Sequence, residues 1–349
     1  MTRATAAQAP RNVLIVLMGS LGDVVRGLAL VDACKAAWSE CSITWLVEPA
    51  CAGIVRLHPR IDRVVVFERS RGLAGVLNLR RELRRERFDV TLDLQRHLKS
   101  GIFSWLSGAK RRVGFNPKDT KECNWLFNTE FIAESAESIP KVEHYLKFLG
   151  VLGIPVPEQL SSGLEHITLA NISADWKGEL SEPYLGLVLG SSWDSKDWPE
   201  EGYAGLLGAL EAEGLRSVVL LGDRSKVEMA ARLEASATAL KIVNLAGKTT
   251  LKELVGVLQG ARVCVGPDSG PAHICGAVGT RHITLFGPTP MIRNAPRGSE
   301  ELSLSSLVGC SPCKRRICPG LNKVCMRLIS PESVLQRIGD VISEKRPYP

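Results

Sequence analysis

Residues 13–23, Val13-Leu14-Ile15-Val16-Leu17-Met18-Gly19-Ser20-Leu21-Gly22-Asp23, run from an apolar strand through a short glycine loop into the start of a helix. A second junction of this kind lies most of the chain away, where Ala261-Arg262-Val263-Cys264-Val265 is followed by Gly266-Pro267-Asp268-Ser269-Gly270-Pro271-Ala272-His273. Glycine at a strand-to-helix turn tolerates positive φ and close backbone approach, and the helix beyond it aims unpaired N–H groups and a partial positive charge into the space above the sheet. That space suits a phosphate. Two such loops, so widely separated, predict two α/β domains that share one site, as in a cleft enzyme acting on a phosphorylated donor.

Length and composition agree. A chain of 349 residues exceeds what one hydrophobic core serves, and 45% hydrophobic with 23% charged residues is ordinary globular composition. Residues 1–12 contain Arg3 and Arg11 but no apolar stretch fit for a signal sequence, and no later run approaches ~18 uncharged apolar residues, so the expectation is a cytosolic protein. Of ten cysteines, Cys34, Cys41, Cys51, Cys123, Cys264 and Cys275 are scattered as buried reduced thiols would be, and only the last four cluster. The net charge of +7 and a pI near 8.9 admit an anionic partner, whether nucleic acid, membrane surface or phosphorylated substrate. The densest basic stretch, 80–87, carries acids at helix-pairing intervals and reads either as a solvated helix face or as a phosphate or headgroup contact. No aromatic residues interleave with it, which argues against nucleic acid.

Apolar, β-rich runs at 12–17, 43–47, 64–67, 90–94 and 112–115 alternate with amphipathic stretches, the rhythm of a parallel sheet. A proline-containing region, 153–183, interrupts it and reads as a linker with a short helix over 167–180. The alternation resumes with strands at 184–189, 217–221, 241–245, 262–265 and 282–286 and helices at 203–213 and 227–240. Pro331 opens a last amphipathic helix capped by Ser330. The expected organisation is a first Rossmann-like domain over 1–165, a second over 166–330, and a helix and tail over 331–349 that pack back on the first domain.

Five motifs, in order, resemble those of the ADP-heptose:lipopolysaccharide heptosyltransferases of glycosyltransferase family 9: the 13–23 junction, Asp93-Leu94-Gln95-Arg96, Gly190-Ser191-Ser192 with Lys196-Asp197-Trp198-Pro199, Leu245-Ala246-Gly247-Lys248-Thr249, and Asp268 to His273. The resemblance covers nearly the whole chain. It implies a GT-B architecture: two Rossmann-like, doubly wound parallel-sheet domains facing across a cleft, the first binding acceptor and the second nucleotide sugar. It further implies an inverting transfer of heptose from ADP-heptose to the lipopolysaccharide inner core, at Kdo on lipid A or at the first heptose.

Sugar transfer from a nucleoside diphosphate to a hydroxyl needs a base, stabilisation of the departing diphosphate and exclusion of water. The resemblance makes Asp23 the general base; position alone fits equally a carboxylate placed at a helix start. Amides near Ser269 and Gly270, their helix dipole and the charge of Lys196 make an anion site that needs no metal or other cofactor for catalysis. By the resemblance Asp268 contacts donor hydroxyls, where the plain alternative is an N-cap, and His273 lies near the same sugar, where the alternative is an ordinary helix residue. Ser191 and Ser192 read as a nest over the diphosphate or as a serine turn, with Trp193 and Trp198 as packing residues. The family pattern sets adenine against 246–249, including Gly247 and Thr249, and an acid on the ribose, for which Glu228 matches the family better than Asp223.

On the acceptor side stand Gly22, Arg26, Arg96 and Lys99, the three cations having helix-surface alternatives. A charged, lipid-linked acceptor implies peripheral attachment to the inner face of the inner membrane. The cluster Cys310-x2-Cys313-x4-Cys318-x6-Cys325 suits a structural zinc, reduced thiols pinning a loop, or a disulfide formed on oxidation. Two rival classes fit less of the chain. A nicotinamide-dependent oxidoreductase lacks its G-x-G-x-x-G spacing, and a non-catalytic binder of anionic lipid or nucleic acid rests on charge and cysteines alone.

Overall fold

The computed structural model describes residues 9–135, 138–180, 183–213 and 217–343. It divides into two compact units, Met1–Gly163 and Leu164–Pro349. The first runs β1 (Asn12–Val16), α1 (Leu21–Ala37), β2 (Ser42–Val47), α2 (Pro49–Val55), β3 (Arg63–Val66), α3 (Gly72–Arg85), β4 (Val90–Asp93), α4 (Leu98–Leu106), β5 (Arg111–Gly114), β6 (Glu130–Phe131) and α5 (Lys141–Leu152). The second runs β7 (Leu185–Val188), α6 (Glu200–Ala212), β8 (Ser217–Leu221), α7 (Val227–Ser236), β9 (Lys241–Asn244), α8 (Leu251–Gly260), β10 (Val263–Pro267), α9 (Gly270–Val278), β11 (His282–Phe286), α10 (Met291–Asn294), β12 (Leu304–Ser305), α11 (Val324–Arg327) and α12 (Pro331–Ser343).

Every strand pairing is parallel. The orders are β3-β2-β1-β4-β5-β6 and β12-β11-β10-β7-β8-β9, so the two units trace the same doubly wound path. Sheets covered on both faces by helices need strands that are apolar throughout, and Val13 to Val16 and Leu187 to Leu189 are accordingly buried. Strand order reverses between β1 and β4, and again between β7 and β10, where the flanking loops part and leave a crevice at the strand carboxyl ends. Glycines let the chain close up beside these points. A Cβ on Gly27 of α1 would stand 2.8 Å from Leu17 and 3.2 Å from Trp45, and one on Gly266 of β10 would stand 2.7 Å from Val188 of β7.

All ten strands expected from the sequence are present; β6 and β12, two residues each at sheet edges, are too short to carry a pattern. Over 167–180 the chain forms two 3₁₀ turns, Leu169–Asn171 and Asp175–Glu179, instead of a helix. The side chains of Thr168 and Asn171 close the first turn on itself, and Gly178 disfavours continuation. The Ser330 hydroxyl accepts from Ser333 N at the start of α12, as a cap should. The sequence suggests that α12 returns to the first domain, but its buried stripe of Val334, Ile338 and Val341 joins the core of the second unit with Leu206 and Leu210 of α6. Gly205 admits Pro331 at this contact, since a Cβ there would lie 2.8 Å from the proline ring.

Candidate active site

In the first unit the loop after β1 is held from β4's side of the crevice. Gln95, just beyond β4, accepts from Met18 N and donates to the Gly19 carbonyl, both at 3.2 Å. Beneath it the fully buried Asp93 accepts from Asn124 at 2.7 Å, Asn128 at 3.3 Å and Gln95 N at 3.1 Å. Burial pushes its carboxyl up to about 6, against the opposing pull of those hydrogen bonds. The loop delivers Asp23 to the first turn of α1. There Ser20 Oγ donates to Asp23 at 3.1 Å, while Arg26 and Lys141 approach its Oδ1 at 2.9 and 2.7 Å. Arg26 thus joins Asp23 directly, and Gly22 lies buried in the same turn. Lys141, at the start of α5, carried no motif that could have announced it.

Arg96 and Lys99 have other partners. The Arg96 guanidinium lies 5.5 Å from the Phe115 ring centroid and donates to the Asp119 carbonyl at 3.3 Å. Lys99 pairs with Glu48 at 2.7 Å, as does Arg69 at 2.6 Å. Burial would raise the Glu48 pKa, yet these two cations hold it below the usual carboxylate range.

In the second unit Asp268 directly follows β10 and is almost fully buried. Its Oδ2 accepts from Lys196 Nζ at 2.9 Å and from Thr289 Oγ1 at 2.8 Å, and His273 Nε2 stands 3.5 Å from Oδ1. Burial alone would favour the neutral acid, but His273 and Lys196 outweigh it and hold the carboxyl well below the usual range. Asp268 is therefore not the N-cap; Ser269 is, in extended conformation, with Pro271 in the first turn. Ser269 Oγ is buried and has no hydrogen-bond partner among the described residues. Free first-turn N–H groups, a hydroxyl without a partner and an adjacent lysine are what a diphosphate requires. Thr289 was missed, although its place just beyond the predicted strand 282–286 would have brought it to this crevice.

Ser191 follows the serine-turn reading: its hydroxyl donates to the Trp193 carbonyl at 2.9 Å and accepts from Trp193 N at 3.1 Å, and its own amide is taken by Asp197 at 2.8 Å. Ser192 is exposed. Asp197 also pairs with Lys226 at 2.5 Å, a lysine that threads past Gly190 and Gly222, where a Cβ would meet it at 2.3 and 2.8 Å. Trp198 is buried and donates to the Ile329 carbonyl at 3.0 Å, whereas Trp193 lies under Lys196 Nζ, 4.7 Å from its ring centroid. Gly247 turns at φ +70, its amide bonds to the Gly222 carbonyl at 2.9 Å, and it lies against the loop that opens α7, where a Cβ would stand 2.9 Å from Val227. Asp223 is engaged as a cap with Ser225 N at 2.8 Å, while Glu228 stands exposed in the first turn of α7. Cys310, Cys313, Cys318 and Cys325 are free thiols around one cavity. Among the described residues no three His, Cys, Asp or Glu side chains are grouped to hold a metal ion as they stand.

A doubly wound unit with a carboxylate at its switch point, joined in one chain to another with a lysine and an open helix start at its switch point, has the fold of the GT-B class of nucleotide-sugar glycosyltransferases. The model of glycosyltransferase family 9 (heptosyltransferase) matches residues 76–323, and the chain belongs to that family. It is 29% identical to the lipopolysaccharide core heptosyltransferase OpsX of Haemophilus influenzae, over 83% of this chain and 82% of that one. To lipopolysaccharide heptosyltransferase 1 of Pseudomonas aeruginosa it is 28% identical, over 88% and 87% of the two chains. The structure of the Escherichia coli heptosyltransferase WaaC with ADP superposes with a TM-score of 0.75 at 25% identity, covering 95% of this chain and 99% of that one. The enzyme is thus a heptosyltransferase, which disposes of the oxidoreductase and the non-catalytic binder.

Proposed function

We propose that the enzyme moves heptose from ADP-heptose to a hydroxyl of the lipopolysaccharide inner core, on Kdo or the first heptose, with inversion at the anomeric carbon. The observation that carries this is the cluster at the start of α9: Lys196 and Thr289 converge on Asp268 beside the Ser269 hydroxyl, which has no partner among the described residues. The acceptor oxygen attacks the anomeric carbon, the bond from that carbon to the diphosphate oxygen breaks, and Asp23 takes the hydroxyl proton. The α9 N–H groups and Lys196 receive the charge that gathers on ADP. Asp268 and His273 hold donor hydroxyls, and Gly247, Thr249 and Glu228 border the nucleoside. Arg26 and Lys141 bind the acidic acceptor and, in doing so, loosen their grip on Asp23. Relatives named for lipopolysaccharide heptosyl transfer and the likeness to an ADP complex support the choice of substrates.

Attachment to the membrane surface is part of the same proposal. Among the described residues no helix is long and apolar enough to cross a bilayer. Helix α3 instead presents Leu73 and Leu77, 84% and 54% exposed, on one face with Arg80 and Arg81. The acids of the basic stretch are drawn off by another residue, since Glu82 and Glu86 both pair with Arg63 of β3. Arg80, Arg81 and Arg85 form no ion pair among the described residues and remain available to anionic headgroups.

Thermal shifts with ADP, UDP, GDP and NAD test the donor, because a ligand that binds only the native state raises its melting temperature. ADP should stabilise most. With ADP-heptose and a Kdo–lipid A acceptor, Asp23→Asn should lose turnover by about 10²–10⁴-fold while keeping ADP binding. A preference for UDP, or an active Asp23→Asn enzyme, would overturn the assignment.

A further inference from the structure

The cysteine cluster has no part in sugar transfer as described, yet its surroundings are specific. All four thiols line a single cavity of about 230 Å³, together with Ser195, Arg315 and Lys323. Among the described residues no carboxylate or imidazole lines it. An all-sulfur donor set selects thiophilic metals, zinc or an iron–sulfur cluster, over hard cations. Four thiolates around a divalent ion leave a net negative charge, which the lining Arg315 would partly offset.

The loop that carries the cysteines is fastened to the donor half-site. Arg316 and Arg315 carbonyls accept from Ser195 N at 3.1 Å and Ser195 Oγ at 2.6 Å, and Lys323 pairs with Asp194 at 3.2 Å. On the other side Lys314 N donates to the Pro288 carbonyl at 2.7 Å. The residues so held immediately precede Lys196 and Thr289, the two groups bonded to Asp268 Oδ2.

We infer that Cys310, Cys313, Cys318 and Cys325 bind a thiophilic metal, a zinc ion or an iron–sulfur cluster, and that this centre braces the donor half-site through 194–196 and 288–289. The thiols must close inward on the metal, each releasing its proton to solvent as it ligates. The loop has the turns to do so: Lys314, Gly320, Asn322 and Lys323 all lie at positive φ. The bracing rests on the donor site proposed above, whereas the metal content does not, so failure of one is distinguishable from failure of the other.

Protein purified anaerobically without chelator is assayed for metals and acid-labile sulfide, and its ADP affinity is measured by calorimetry before and after a chelator strips it. One zinc per chain, or iron with matching sulfide, is expected, falling to background in Cys313→Ser and Cys318→Ser. Stripping should weaken ADP binding about tenfold, with recovery on remetallation. Titration of the stripped wild-type chain with Co²⁺ should give thiolate-to-metal absorption, a readout that needs no variant to fold. No stoichiometric metal and no such absorption would overturn the site; metal whose removal leaves ADP affinity unmoved would overturn the brace.

Discussion

Replacing Lys196 by methionine removes the charge around which the donor half-site is built and keeps most of the side-chain volume. The ammonium stands 2.9 Å from Asp268 Oδ2 and 3.1 Å from the Asp268 carbonyl oxygen. The two side chains are 14% and 6% exposed, so solvent screens the pair little. At that separation and an effective dielectric near 20 the gross attraction is about 6 kcal/mol, much of it offset by desolvation of both ions. Substitution exposes the unfavourable half of that balance, a buried carboxylate left with Thr289 and His273, and should cost about 3–5 kcal/mol of stability. The diphosphate feels the change twice, losing a cation and meeting an unneutralised carboxylate. ADP should therefore bind on the order of 100-fold more weakly, about 2.7 kcal/mol. Calorimetry measures the affinity and urea unfolding the stability. Adding Asp268→Asn should recover most of the stability, because the buried charge leaves with its partner. Unchanged ADP binding in Lys196→Met, or a double variant no more stable than the single one, would refute the assignment.

Gln95→Ala removes the two hydrogen bonds that pin the loop before Asp23; turnover should fall about tenfold or more with ADP affinity unchanged, and equal losses in both would count against a positioning role. Asp93, raised from 3.8 to about 6, contributes stability that is fully present below pH 3.8 and lost as pH rises through 6, about 3 kcal/mol in all. Burial, reinforced by nearby His273, pushes His282 from 6.5 down to about 3, so its contribution is complete above pH 6.5 and lost as pH falls. Hydrogen exchange corrected for intrinsic rates should show the first unit gaining protection relative to the second from pH 7 to pH 5; parallel changes in both would contradict this. Changing Arg80, Arg81 and Arg85 to Gln should weaken binding to anionic vesicles by about 3 kcal/mol at low salt in a sedimentation assay, and binding indifferent to these charges and to salt would remove α3 as the contact.

Much of this was legible in the sequence because the signals are local. A buried parallel strand must be apolar at every position, so ten strands could be placed without coordinates, and a glycine turn between strand and helix marks a switch point before the sheet order is known. The motifs gave Asp23, Asp268, Lys196 and Ser269 their places. What escaped depends on distant parts of the chain meeting. Lys141 reaches Asp23 across 118 positions, and Thr289 reaches Asp268 from the end of a neighbouring strand. The role of Gln95 was hidden for the same reason, although its motif was visible. The partner of α12 could not be read from its own stripe, which says that one face is buried and not against what. Ser191 shows the converse: a motif marked the turn, but its hydroxyl and amide are both engaged within the loop.

Identical topology does not make the two switch points chemically alike, and the difference supports the proposal that the second unit takes the donor. At each, a helix start projects partial positive charge into the crevice. In the first unit that charge already has an anion of its own, since Asp23 occupies the first turn of α1 and accepts from Ser20 Oγ. A diphosphate approaching there would meet a carboxylate. In the second unit the adjacent carboxylate, Asp268, is drawn aside by Lys196 and Thr289, and the cap residue Ser269 leaves its hydroxyl without a partner among the described residues. The α9 start is therefore open to an incoming anion, and the lysine that restrains Asp268 adds to its attraction. An internal carboxylate at the α1 start and an anion-free α9 start fit the proposed roles of proton acceptor in the first unit and leaving-group site in the second.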